Sequence, residues 1–196
     1  MIRSTTDEWG WPAKLLHWLG AAFILVLLVH GWWMTHLAAR PDRLANYGWH
    51  AAIGYDLMGL LVLRLLWRWA NPVPALPGDL KPWERTAAHL GHFGLYVLML
   101  ATTLTGWAMA GTGRVPLRQD LLGIELPLIV QDRALRPLLE ESHKIIAYLL
   151  AALVVVHVAG ALRHHFVKRN TVLRRMTVGI GPQAPEEGLR TPSTTP

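Results

Sequence analysis

Four blocks of apolar residues, at 15–37, 48–69, 86–110 and 143–167, dominate this 196-residue chain. Each approaches or exceeds the ~20 residues that an α-helix needs to cross the hydrocarbon core of a bilayer. No water reaches backbone N–H and C=O groups there, so blocks of this length satisfy them as helices. Only 16% of the residues are charged, well below the roughly 25% of an ordinary soluble domain. The expected fold is all-α: a transmembrane four-helix bundle over residues 1–169, with helices at about 12–36, 47–69, 83–110 and 140–168. Residues 170–196 read as a polar, disordered tail, ending in EEGLRTPSTTP.

The formal charge is +6 and the isoelectric point is near 10.2, values that would suit a nucleic-acid binder. The distribution argues instead for a topology signal and no nucleic-acid partner. With four spans, both termini share one side. That side, with the 64–85 connection, holds twelve Lys or Arg and six acids, against seven of each on the other. The excess places both termini in the cytoplasm by the positive-inside rule. Asp7 and Glu8 lie where a signal peptide would be basic, so the first apolar block reads as a retained span. Tryptophans at both ends of the first block (Trp9, Trp11 and Trp18, then Trp32 and Trp33) and at the close of the second (Trp67 and Trp69) suit interfacial belts.

Cysteine is absent, which removes disulfides, thiolate metal sites, iron–sulfur clusters and covalent C-x-x-C-H haem attachment. Histidine carries the signal instead. Ten are present, and an imidazole in a membrane span asks for a partner. His143 and His157 are fourteen residues apart on the fourth helix. At 100° and ~1.5 Å per residue they share a face to within about 40° and stand ~21 Å apart in depth. His50 on the second helix falls at the level of His143, and His17 on the first at the level of His157. Two facing neutral imidazoles can ligate one haem iron axially. Two such pairs at opposite membrane halves would form a wire of two b haems.

Gly20, Gly54 and Gly160 each follow one of these histidines by a helical turn, which would let a macrocycle lie against the helix. Glycine is also common in membrane helices generally. Arg64 lies fourteen residues after His50 and suits either a haem propionate or snorkelling to headgroups. Structural histidines in helix packing are the competing reading. A zinc or nickel transporter would need several ligands in one coordination shell, whereas these pairs are ~21 Å apart.

KLLHW (14–18), NYGWHAAIG (46–54), LVLRLLWRWANPVP (61–74), AHLGHFGLYVLML (88–100) and HVAGALRHHFVKRNTVLRRM (157–176) occur in this order. Together they resemble the prokaryotic cytochrome b561 family, whose members are four-helix di-haem proteins of the bacterial inner membrane. The resemblance implies that His17, His50, His143 and His157 are the iron ligands, metal-binding residues of two haem b groups. It also implies a quinone-linked oxidoreductase exchanging electrons with membrane quinone, with superoxide as the second substrate. Arg114, Arg118, Arg133, Arg136 and Lys144 would attract such an anion. The alternative is a di-haem membrane anchor of a hydrogenase or dehydrogenase, serving a partner redox subunit.

Some polar residues fall outside this scheme. His89 and His92 lie i,i+3 on the third helix, near enough to bond a propionate or a quinone carbonyl, or to replace His17. His30 and His36 read as interfacial hydrogen-bonders. His164 and His165, with Arg163, Lys168 and Arg169, read as facing anionic headgroups. Asp56 is an intramembrane acid, expected to relay protons or to bond a neighbouring Ser, Thr or Trp.

Overall fold

The computed structural model describes residues 1–36, 42–113 and 119–177. All regular elements among them are helical: α1 (Trp11–His36), α2 (Arg43–Ala70), α3 (Pro82–Ala110), α4 (Arg136–Phe166) and a short α5 (Val172–Met176). The first four are long and apolar enough to cross a membrane. Their outward faces carry Val29, Phe93 and Val155, all well exposed, as expected of helices that bury one stripe against protein and the rest in lipid.

Local chemistry sets the helix ends. Pro82 occupies the first turn of α3, where its missing N–H costs nothing, and the Lys81 N–H donates to the Glu84 carboxylate at 3.0 Å. α4 begins at Arg136 rather than near 140, because a 3-10 turn (Arg133–Leu135) leads into it. Asp132 caps that turn by accepting the Ala134 N–H at 2.9 Å, and Pro137 again sits in the first helical turn. Three prolines keep residues 71–81 out of helix.

α1 packs along α2, α2 against α3, and α3 along α4. Ile24 of α1, Leu57 and Leu61 of α2, Met99 of α3 and Leu150 of α4 meet in one buried cluster. Leu150 lies seven residues from both His143 and His157, so the cluster is an apolar plug halfway between the two histidine levels. Replacing the 3%-exposed Leu150 by Ala is expected to cost ~2–5 kcal/mol, measured as a lower thermal midpoint in detergent.

The N-terminal segment, the 71–81 connector and the chain beyond α4 gather at one end, here the terminal end. The Ala75 N–H donates to the Thr6 carbonyl at 2.9 Å, and Arg175 donates to the Ala75 carbonyl at 2.6 Å. Here the expectation of a disordered tail from residue 170 is corrected. Residues 170–177 are structured: Arg169 takes a positive φ of 53° and turns the chain back. α5 is then held by Trp18 Nε1 donating to the Met176 carbonyl at 2.8 Å and Lys14 Nζ to the Thr177 carbonyl at 3.3 Å. Side chains of α1, remote in sequence, thus satisfy backbone groups that the local polar composition left open. Residues 178–196 lie outside the described residues.

At the opposite, loop end, residues 119–125 form a tight turn closed by a single bridge between Gln119 and Glu125. Gly123 has φ +79° there, and Asp120 Oδ1 accepts the N–H groups of Leu122 and Ile124. The turn is fastened to the bundle through Asp56, which accepts the Leu121 N–H at 3.3 Å. Among the described residues, the partner recorded for this acid is a loop backbone N–H and not a Ser, Thr or Trp. Trp107 Nε1 donates to the Pro127 carbonyl at 2.9 Å and pins the next stretch.

Candidate functional site

Inside the bundle the imidazoles converge at two levels. Near the loop end the rings of His50 and His143 are 6.2 Å apart between centres, with planes at 78°. Near the terminal end those of His17 and His157 are 6.4 Å apart, with planes at 65°. Both pairs bridge helices outside the closely packed neighbours: α2 to α4 and α1 to α4. Space between backbones is thus spanned by side chains.

His143 is held from behind by Thr105. Thr105 spends its hydroxyl proton on the Ala101 and Thr102 carbonyls, at 2.8 and 3.0 Å. Oγ1 also lies 3.1 Å from His143 Nδ1, and with its proton on the carbonyls it accepts the Nδ1–H. Nε2 of His143 keeps its lone pair, the arrangement found in metal-binding imidazoles held from behind. Among the described residues, His17 and His50 bury Nδ1 without a hydrogen-bond partner.

Glycines shape the surroundings in two ways. A methyl group built on Gly20, Gly54 or Gly160 would meet nothing within 4 Å, so all three border open space. Gly31 and Gly106 do the reverse. A Cβ at Gly31 would lie 3.1 Å from His50 Cε1, and one at Gly106 would lie 3.3 Å from His143 Cε1. These two glycines make room for the imidazoles themselves, and sequence reasoning missed them.

Arg64 reaches the terminal-end pair. Its guanidinium lies within electrostatic range of His17, His92 and His157, and its Nε donates to the Tyr96 hydroxyl at 3.1 Å. Arg68 stacks over the same Tyr96 ring, 5.9 Å from its centre. His92 joins this level with its ring 5.4 Å from that of His157, whereas His89 is exposed. His164 bonds Asn170 Nδ2 at 2.9 Å. Arg163 and Lys168 do not simply face headgroups: both donate to the buried Glu84, at 3.0 and 2.6 Å.

At the loop end, Arg136 pairs with Glu140 at 3.8 Å and Lys144 with Glu141 at 3.3 Å. Arg114 and Arg118 lie outside the described residues. His30, read from the sequence as an interfacial hydrogen-bonder, does bond Asn46 at 3.2 Å and in addition stacks on His50 with ring centres 5.9 Å apart.

A signal for the missed glycines was present. Fourteen residues separate His17 from Gly31, His50 from Arg64, His92 from Gly106 and His143 from His157. Each helix presents two inward positions at one angular setting and two depths, so the spacing marks a stripe, of which the histidines are only part.

A family model described as prokaryotic cytochrome b561 matches residues 8–179. The chain belongs to that family. As a cytochrome b561 it is a membrane electron carrier, and its cofactor is b-type haem. Similar proteins include Cytochrome b561 homolog 2 of Escherichia coli K12, 30% identical over 182 residues, or 88% of this chain and 93% of the relative. Cytochrome b561 homolog 1 of the same organism is 26% identical over 171 residues, covering 82% and 92%. A Yersinia pestis protein named probable superoxide oxidase CybB is 27% identical over 170 residues, covering 82% and 91%.

Proposed function

We propose that this cytochrome b561 carries single electrons across the membrane through two b haems, one held by His50 and His143 and the other by His17 and His157. The observation that carries the reading is the separation of the paired rings, 6.2 and 6.4 Å. An imidazole nitrogen binds a metal at about 2 Å, so a metal shared by two opposed rings sits between centres roughly 6 Å apart. Among the described residues no three His, Asp or Glu converge on a metal cage. Each pair would thus hold one metal from two sides, leaving its other positions to a ligand such as a porphyrin. The open space at Gly20, Gly54 and Gly160 suits its flat face, and Arg64 suits a propionate of the terminal-end haem.

A bound haem iron supplies one-electron chemistry by alternating between ferric and ferrous states. The protein supplies two fixed positions and an apolar plug between them, which keeps water from the path. The excess of basic residues at the terminal end supports a cytoplasmic location for both termini in the inner membrane. The electron acceptor in this reading is membrane quinone, and superoxide is the donor, supported by the named activity of the Yersinia relative. Superoxide loses one electron to become dioxygen; two such electrons and two protons convert a quinone to a quinol. In proteoliposomes containing ubiquinone, superoxide is expected to drive quinol formation, and His143→Ala should abolish it. Superoxide decay at the same rate with and without haem removes superoxide from the reading.

The glycine cradles give a separate test. Gly20→Leu fills open space, so the chain should fold with its helical circular dichroism intact yet lose about one haem. Unchanged haem content would mean that Gly20 borders no macrocycle.

A further inference from the structure

His143 and His50 form one pair but are held differently. The ring of His143 is held from behind by the hydrogen bond between Nδ1 and Thr105 Oγ1 at 3.1 Å, the usual way a metal-binding imidazole is oriented. Among the described residues, Nδ1 of His50 is buried with no hydrogen-bond partner. Such a ring is free to rotate about its Cβ–Cγ bond unless packing stops it.

The packing is supplied by two successive residues of α1. Gly31 lets the edge of His50 come within 3.1 Å of where a Cβ would stand. His30 stacks on the ring, with centres 5.9 Å apart and planes at 26°, an offset arrangement that aromatic rings favour. His30 is itself clamped. Trp33 stacks on it at 5.9 Å and 20°, and Asn46 holds its rim. Asn46 Nδ2 donates to the Asp42 carbonyl at 2.9 Å, which leaves Oδ1 to accept the His30 Nε2–H at 3.2 Å. Asn46 lies one helical turn before His50 on α2, so His30 is tied to the same helix whose ligand it flanks.

We propose that His30 is a positioning residue, fixing by ring stacking the orientation of His50 that a hydrogen bond fixes for His143. The inference rests on the reading that His50 ligates the loop-end haem. The orientation of an axial imidazole sets its overlap with the iron orbitals, and so the low-spin ferric spectrum and the midpoint potential of that haem alone.

The test uses the full chain purified with its haem, as wild type, His50→Ala, His30→Ala and His30→Phe. Haem count, low-temperature electron paramagnetic resonance and redox titration are the readouts. The signal lost in His50→Ala identifies the loop-end haem. His30→Ala is expected to shift or broaden that signal and to move one midpoint potential while the other stays put. His30→Phe, which keeps a flat ring and loses the bond to Asn46, is expected to restore both. If His30→Ala loses the loop-end haem outright, its recovery in His30→Phe supports the proposal and its continued absence overturns it. Two haems with unaltered signals in His30→Ala, or failure of His30→Phe to restore them, overturns the proposal alone. A His50→Ala chain that keeps every haem overturns the parent reading, and this inference with it.

Discussion

Alanine at His157 is expected to remove one of two haems, and alanine at His143 the other, each leaving the partner level intact. The two sites are ~21 Å apart along α4 and are separated by the buried plug around Leu150, so loss at one level should not propagate to the other. Reduced-minus-oxidised difference spectra should fall to about half of the wild-type amplitude in either variant. The decisive comparison is at the terminal end, where His157 faces two imidazoles. His92 is 5.4 Å from it and His17 is 6.4 Å. Two metal–nitrogen bonds of about 2 Å each, plus the ring radii, suit the longer separation. His17→Ala should therefore lose the terminal-end haem, and His92→Ala should keep it with a shifted potential. The reverse outcome would make α3 the ligand-bearing helix there.

The largest loss of stability is expected at Glu84. Its side chain is 3% exposed and takes Lys168 at 2.6 Å and Arg163 at 3.0 Å, while Oε2 also accepts the Lys81 N–H. Removing the carboxylate leaves cations facing a buried site with no counter-charge, which costs more than the intact pair contributes. Glu84→Gln keeps the size and the cap but not the charge. It should lower the thermal midpoint in detergent further than Leu150→Ala does. Lys168 is 19% exposed and Arg163 49%, so Lys168→Ala should hurt more than Arg163→Ala, whose guanidinium already shares water. Equal, small effects from all three would reduce the cluster to a surface ion network.

The spans were legible because lipid imposes a length and a composition that few other environments do. The pairing of His50 with His143 and of His17 with His157 was legible because a fourteen-residue spacing fixes angle and depth together on a straight helix. What it could not fix was the contact between neighbouring helices. His30 sits on α1 at an angle that periodicity alone assigns to the outside, and only the close packing of α1 on α2 brings it over His50. Asp56 finds its partner in a loop sixty-five residues away, and α5 is held by Trp18 from the first helix. Both contacts depend on where distant backbone groups fall, which local polarity does not encode.

The most direct test is a haem count on detergent-purified wild-type chain, by pyridine haemochromogen absorbance against quantitative amino-acid analysis. The expected result is about two b haems per chain, both reducible by dithionite. A count near one would leave one imidazole pair structural, and a chain that binds none when haem is supplied in excess would contradict the two-haem wire altogether.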